Sequence, residues 1–465
     1  MNRFIVLFSL SIIISASNCK KVSTTTTKPN ILIINIDDLG WRDFGCMGSE
    51  FYNTPNIDQL AKQGMLFTNG YASAANCAPS RACLMTGQWP QRHGIYTVGS
   101  SERGKAKDRK LIPTPNTQYL DSNQWIIPKF LKSEGYTTCH AGKWHLSNDP
   151  TRYGFDQNIG GSRAGHPRSY YPPYKNVDLK AEQGEYLTDL VMTHAIDFVQ
   201  SAQQPFFLYY APYAVHTPIQ GVDSLKEKYQ NKPAWNKQQN IDYATMIENL
   251  DRNIGRLLRA LSDQNTLENT FIVLTSDNGG LYGITYQLPL RAGKGSYYEG
   301  GIRVPFLFVW NNHIPADVSN DTPVSNLDIF PTLVELLAKE ADSPTLDGQS
   351  LMPLLTGKET WEPRPLFWHF PIYLQAYDVN DNQNRDALFR TRPGSVIRQG
   401  NWKLHHYFED NGLELYNLTE DLSEQKNLAK ENPEKVKELY ARLDAWRKET
   451  NAPVPTELNP AYEGE

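Results

Sequence analysis

Three apolar runs stand out along the chain: "ILIINI" at 31–36, "FFLYYAPY" at 206–213 and "FIVLTS" at 271–276. A strand with one wet face alternates apolar and polar residues, whereas an unbroken apolar run of this length marks a strand covered on both faces, as in parallel sheets. The first run is β-branched throughout apart from Leu32 and Asn35, which favours strand over buried helix. "YTTCHAG" at 136–142 is a weaker fourth strand. Between these runs the spacing changes to that of amphipathic helices, in "NIDQLAKQG" ending on Gly64, in "YLTDLVMTHAIDFVQSA" at 186–202 and in "IDYATMIENLDRNIGRLLRALSDQ" at 241–264. Strands that alternate with helices predict an α/β fold built on a mainly parallel sheet.

Beyond about residue 363 the pattern shifts. "GSVIRQGNWKLHHYF" and "GLELYNL" read as short antiparallel strands around an "EDNG" turn, and the charged amphipathic "NPEKVKELYARLDAWRKET" reads as a helix behind them. The expected division is a large unit over 29–362 and a smaller α+β subdomain over 363–465, whose Pro-rich end is irregular.

The N-terminal residues have a different purpose. Arg3 precedes an apolar run over 4–14 and then small residues, the layout of an export signal and too short for a membrane span with such flanks. Residues 1–18 are therefore expected to be removed. "SASNC" resembles a bacterial lipoprotein box with Cys19 as the lipidated first mature residue; Asn18 departs from that pattern, and ordinary signal cleavage stays as the alternative. Residues 19–28, polar and Thr-rich, would be a flexible tether. The expected location is the periplasm or cell envelope, with membrane anchoring through Cys19.

Composition removes some classes. With 40% hydrophobic and 21% charged residues and a net charge of -5, the chain is ordinary for a globular enzyme and carries no basic field for nucleic acid. Its 25 Tyr and 10 Trp suit carbohydrate stacking surfaces or simply a well-packed interior. Cys46, Cys77, Cys83 and Cys139 show neither CxxC pairs nor Cys/His metal spacing, so no disulfide framework is expected.

Candidate chemistry sits at the ends of the strands. "NIDDLGW" sets Asp37 and Asp38 side by side after the first run, where the two carboxylates repel unless something positive lies near. A hard cation such as calcium or magnesium is one solution, and a cap or Asx turn before Gly40 is the other. "TSDNGG" repeats the theme with Asp277 and Asn278. Ligands in open α/β sheets collect at the carboxyl ends of strands, which favours one shared metal over two unrelated turns. Basic residues occupy comparable places: Lys143 and His145 in "GKWH", His216 in "VHTP" and Lys294 in "RAGKGSYYEGG". An extended backbone would aim Lys143 and His145 to one side. Each alone is an ordinary polar residue; with Arg81 they describe an anion site beside a divalent cation.

"CAPSRACLMTG" at 77–87 follows Cys-x-Pro-Ser-Arg-x-x-x-x-Thr-Gly and resembles the signature of the formylglycine-dependent sulfatases, of the alkaline-phosphatase-like superfamily. The likeness runs from about residue 29 onward, through the DD, GKWH, VHTP, SDNGG and GKGSYYEGG elements and "RQGNWKLHHYFEDNGLELYNLTEDLSEQKNL", in that order. It implies an α/β/α sandwich with a small C-terminal sheet-and-helix subdomain. It further implies that Cys77 is oxidised to formylglycine by a separate maturation enzyme, and that Asp37, Asp38, Asp277, Asn278 and the modified residue 77 hold one calcium. Arg81, Lys143, His145, His216 and Lys294 match the family's catalytic and sulfate-binding residues. The aldehyde hydrate would attack sulfur, with His216 or Lys294 protonating the leaving oxygen and His145 taking the proton that lets the aldehyde re-form. A phosphodiesterase or phosphonate hydrolase of the same superfamily and a non-catalytic sulfated-glycan-binding lipoprotein are the alternatives. The substrate implied is a sulfated carbohydrate, such as an algal ulvan, carrageenan or fucan or a glycosaminoglycan. Two further segments, 160–176 ("GGSRAGHPRSYYPPYKN") and "FWHFP" around His369, are candidates for the sugar pocket or for packed loops.

Overall fold

A computed structural model describes residues 28–339, 345–357, 361–378 and 383–464. The expected signal, Cys19 and all of the tether but its last residue lie outside the described residues. The three apolar runs become strands β1 (Asn30–Ile36), β5 (Phe206–Ala211) and β6 (Thr270–Ser276), and the weaker candidate becomes β3 (Thr137–Gly142). With β2 (Met65–Phe67), β4 (Gln157–Ile159), β7 (Phe306–Val309) and β8 (Val318–Asn320) they form one eight-stranded sheet in the order β4-β3-β5-β1-β6-β7-β2-β8.

The first five strands of that order, β4 to β6, are wholly parallel. The sheet is mixed at its other side, because β7 runs antiparallel to both β6 and β2. Both faces of β1 are buried: Leu32, Ile34 and Ile36 belong to one apolar cluster, Ile31 and Ile33 to another. At about 1.5–3 kcal/mol per fully buried aliphatic side chain, a strand of this composition is stable only between two layers. Helices α2 (Leu187–Ser201) and α3 (Ile241–Asp263) cover the first face. Helix α1 (Cys77–Thr86), buried along its whole length, lies on the second. The result is an α/β/α sandwich.

The C-terminal part holds the antiparallel sheet β9 (Leu366–Phe370), β10 (Gly394–Gln399), β11 (Trp402–Tyr407), β12 (Leu413–Asn417), in that order. The period-2 rule sorts its side chains. Trp368, Phe370 and Val396 pack on Tyr71, Tyr297 and Ile302 of the large unit. Ile397, Leu404 and Leu415 face Leu439, Leu443 and Trp446 of helix α4 (Pro433–Glu449). Polar contacts also join the units. Lys403 on β11 is fully buried between Glu299 and Glu424, 2.9 Å from each, and Glu299 also accepts from Tyr71 at 2.7 Å and pairs with Arg303 at 3.3 Å. Glu299 opens a short helix, Glu299–Ile302, five residues after Lys294, so this network anchors a segment that reaches the site.

The described cysteines are free thiols: Cys46, Cys77, Cys83 and Cys139. Among the described residues no helix is long and apolar enough to cross a membrane.

Candidate active site

Four adjacent parallel strands deliver the site. Asp37 and Asp38 follow β1, Lys143 follows β3, His216 follows β5, and Asp277 with Asn278 follows β6. Backbone bonds hold these strand ends together: Asp277 N donates to Ile36 O at 3.1 Å, and Val215 N to Asp37 O at 2.9 Å. Asp38 sits at φ 58° and His145 at φ 66°, a region L-residues seldom occupy and one often found where side chains must converge. His145 therefore reaches the site by a left-handed turn past the strand end, and the side-by-side extended arrangement with Lys143 expected above does not occur.

Gly279 shows how closely these turns pack. A Cβ there would lie 1.9 Å from Gly300 O and 2.9 Å from Gly300 C, both backbone atoms with no flexible end to yield. Gly279→Ala is expected to destabilise the protein by about 1–3 kcal/mol or more, read as a lower melting temperature.

Cys77 opens helix α1, with Asn76 extended before it and Gly87 at φ 64° closing the far end. The first turn of that helix gives residue 77 unpaired N–H groups and the positive dipole end, an environment that favours anions. Cys77 Sγ lies 3.8 Å from Asp38 Oδ1. Ligand atoms of Asp37, Cys77 and Asp277 all lie within 4.8 Å of one another, as do those of Asp38, Cys77 and His216.

The carboxylates are matched by cations. Lys143 Nζ donates to both oxygens of Asp37 at 2.7 and 2.8 Å. Lys294 Nζ donates to Asp38 Oδ2 at 2.6 Å and lies 2.9 Å from His216 Nε2. Arg81 Nε donates to Asp277 Oδ2 at 2.8 Å, and its Nη2 lies at ion-pair distance from the same oxygen, 2.8 Å, and from Asp37 Oδ1, 3.5 Å. Burial pushes the Asp37 carboxyl well above the usual range despite Lys143. For Asp38 and Asp277 burial acts the same way but is outweighed, by Lys294 and His216 in one case and by Arg81 and Lys143 in the other, so both fall below the usual range. Burial pushes His145 well below its ordinary value, helped by Lys143, and lowers His216 against the pull of Asp38. Both shifts favour the neutral ring. His216 Nδ1 then donates to Thr217 O at 2.8 Å, leaving Nε2 to accept from the Lys294 ammonium.

The donor set fits a hard divalent cation. Three carboxylates crowd together, and Asn278 adds an amide oxygen, Oδ1, that is buried with no hydrogen-bond donor among the described residues while its Nδ2 donates to Asp38 at 2.8 Å. Calcium takes such oxygen ligands. A thiol is soft and out of keeping with them, whereas an oxygen at residue 77 would complete the set.

All the predicted site residues converge here, though not on one surface. His145, His216, Lys294 and Cys77 line a cavity of about 320 Å³. Arg81 and Lys143 sit behind the carboxylates, fully buried. Of the two candidate sugar segments, 160–176 contributes Gly165 and His166, the latter stacked on His216 with centroids 5.4 Å apart. "FWHFP" contributes nothing to the cavity: His369 is buried, with Nδ1 2.9 Å from Ser395 Oγ and Nε2 2.9 Å from Pro453 O, and its polar atoms serve packing. Sequence reasoning missed Arg103, Tyr377 and Arg390, which line the same cavity; Arg103 and Tyr377 lie outside strands and helices and Arg390 in a three-residue strand, Phe389–Thr391, none of them in a motif.

A sheet covered on both faces, with acidic and basic groups gathered at the carboxyl ends of its parallel strands, is the architecture of the alkaline-phosphatase-like hydrolases. Within them this chain belongs to the sulfatase family: the Sulfatase family model matches residues 29–339, and the model for the N-sulphoglucosamine sulphohydrolase C-terminal region matches residues 293–449. It is by that membership a sulfuric ester hydrolase. A sulfatase of Formosa agariphila is 32% identical over 97% of this chain and 94% of its own length. The N-acetylgalactosamine-6-sulfatase of Homo sapiens is 31% identical over 76% of this chain and 71% of its own. The crystal structure of Ps i-CgsB in complex with k-i-k-neocarrahexaose matches with a TM-score of 0.73 and 32% identity, over 90% of this chain and 93% of that one.

Proposed function

We propose that the protein hydrolyses sulfate esters on a sulfated carbohydrate, an algal polysaccharide of the ulvan, carrageenan or fucan type or oligosaccharides from it, using formylglycine made from Cys77 by a maturation enzyme, and one calcium. The observation that carries this reading is the buried juxtaposition of Cys77 with Asp37, Asp38 and Asp277 at the start of helix α1. Asp37, Asp38, Asp277 and Asn278 would hold the calcium, with residue 77 as a further oxygen ligand. The cation supplies charge stabilisation for sulfuryl oxygens, and the oxidised side chain supplies the nucleophilic oxygen.

The chain's own residues do the rest. Arg81 fixes the orientation of Asp277 and Asp37, and Lys143 holds Asp37. Lys294 and the helix N-terminus meet the sulfate's negative charge. The Lys294–His216 pair holds a proton between Nζ and Nε2 and delivers it to the departing sugar oxygen. His145, neutral and with a buried, unpartnered Nδ1, accepts a proton at the close of turnover. In this division 29–362 carries the reacting groups, while 363–465 adds Leu374, Tyr377 and Arg390 to the pocket wall. Export by 1–18 and lipid attachment at Cys19, supported by the apolar run and "SASNC", place the enzyme in the cell envelope.

The test is sulfate release from a panel of sulfated oligosaccharides, run beside aryl sulfate and aryl phosphate, with calcium and with chelator. Sulfate release that stops on chelation supports the reading, and a preference for the phosphate ester refutes it. Calcium should also raise the melting temperature of the protein, by an amount equivalent to about 2.7 kcal/mol at a hundredfold excess over Kd, because three crowded carboxylates gain a shared counter-charge. An unchanged melting curve removes calcium from the site.

A further inference from the structure

The cavity over Cys77 holds more positive charge than one sulfate ester needs. Of the described side chains lining it, Lys294, Arg103 and Arg390 are fixed cations, His145, His166 and His216 are basic rings, and none is a carboxylate. Lys294 is already engaged with Asp38. Among the described residues the two arginines are held by backbone carbonyls and, for Arg390, by the Tyr377 side chain. Arg103 Nη2 donates to Val98 O at 3.0 Å; Arg390 donates through Nε to Gln375 O at 2.9 Å and through Nη1 to Lys294 O at 3.0 Å. Among the described residues neither has a carboxylate at ion-pair distance, unlike Arg81 with Asp277, Arg303 with Glu299 and Arg392 with Glu409.

Arg390 is the telling one, because only 9% of it is exposed. Burial lowers its pKa and outweighs the upward pull of Tyr377 and the more distant Asp38, while the Arg103 charge pushes in the same direction as burial. A guanidinium removed from water without an anion loses hydration that carbonyl oxygens return only in part. The local sequence is shaped to admit it even so. A Cβ on Gly295, which sits at φ +88°, would lie 2.7 Å from Arg390 Nη1, so the second glycine of "GKG" clears the path of this side chain past the Lys294 backbone. Tyr377, 61% exposed, lies over the guanidinium with Cζ 3.5 Å from its ring centroid. The planar fork of an arginine suits bidentate contact with a sulfate or a carboxylate.

We propose that Arg103 and Arg390 form a second anion subsite beside the reacting one, taking a sulfate or uronate carboxylate elsewhere on the sugar chain, so that the preferred substrate carries two negative groups; this rests on the sulfatase reading of the site. Tyr377 braces Arg390 on one face and offers its exposed ring to a sugar. The subsite selects among sulfated glycans by charge spacing, and a singly sulfated sugar leaves two cations unmatched.

The experiment is calorimetric and uses the full-length Cys77→Ala protein, which binds without turnover. Three disaccharides are titrated at fixed salt: one with a single sulfate, one with a second sulfate on the neighbouring ring, and one with a single sulfate beside a uronate. At least one doubly anionic ligand should bind about tenfold tighter than the singly sulfated one, and whichever shows that gain identifies the anion. Adding Arg103→Gln should erase most of the gain, weakening the doubly anionic ligand more than the other. Arg390→Lys, which keeps the charge and loses the fork, should fall between. Equal Kd values for all three ligands, or an equal loss across them in the Arg103→Gln protein, overturn the proposal; the second result would mean that the arginines only brace the loop. Wild-type sulfate release from aryl sulfate is scored separately. Its absence sinks the sulfatase reading, while the calorimetric preference still decides the subsite.

Discussion

Cys77→Ala should reduce sulfate release by about 10⁴-fold or more, the scale on which enzymes lose activity when the nucleophile is removed, and leave the melting temperature nearly unchanged. The two halves of that expectation have different physical origins. Stability is spared because alanine is the best helix former, because residue 77 is only the first residue of helix α1, and because the substitution deletes a single sulfur whose polar contact, with Asp38 Oδ1 at 3.8 Å, is long. Activity is lost because no neighbour can replace it. The other nucleophile candidates around the cavity are neutral imidazoles or are tied to carboxylates, as Lys294 is to Asp38. Mass spectrometry of the peptide containing residue 77 sharpens the result. Wild-type protein made with the maturation enzyme should show the mass loss of thiol-to-aldehyde conversion, and protein made without it should be as inactive as the alanine variant. Full activity in either inactive form would mean that some other group attacks sulfur.

What the sequence revealed and what it hid divide along a physical line. Asp37, Asp38, Asp277 and Asn278 were legible because buried parallel strands announce themselves as unbroken apolar runs, and the residues just past such runs must meet at one edge of the sheet. Strand β7 was not legible: four apolar residues, "FLFV", are too short to separate strand from buried helix, and its antiparallel direction depends on partners far away in sequence. Lys143 and His145 were expected to meet through strand alternation, but the chain turns left-handed at His145, which no local pattern in "GKWH" signals. For His369 the sequence left a sugar-pocket residue and a packed loop open; its partners, Ser395 and the Pro453 carbonyl, are invisible from its own neighbourhood. Arg103 and Arg390 were silent for the converse reason. Among the described residues neither has a carboxylate at ion-pair distance, and which charges a side chain meets is a property of the folded chain alone.

The second large effect concerns stability. Lys403→Met should destabilise the protein by about 3–5 kcal/mol, the range for removing one member of a buried charge network, measured by urea unfolding at pH 7. Lys403 and its partners Glu299 and Glu424 have no solvent exposure, so the variant leaves carboxylates facing each other in a low-dielectric seam between β11 and the Lys294 loop. The pH dependence has a definite sign. Burial alone would raise the Glu299 pKa, but Lys403, Arg303 and Arg398 outweigh it and bring it from 4.5 down to about 2. A group whose folded pKa lies below its unfolded one contributes stability that is fully present above about pH 4.5 and lost as the pH falls through about 2. Without Lys403 the Glu299 pKa moves upward, so the variant's acid-side loss should begin at higher pH than that of the wild type. Adding Glu299→Gln to Lys403→Met should recover part of the loss, because the unmatched charge is gone. If Lys403→Met unfolds at the wild-type urea midpoint, or if the double variant is weaker than the two single losses combined, the seam is held by its apolar contacts around Trp368 and Ile302, and the buried ions contribute nothing to joining the C-terminal sheet to the catalytic loop.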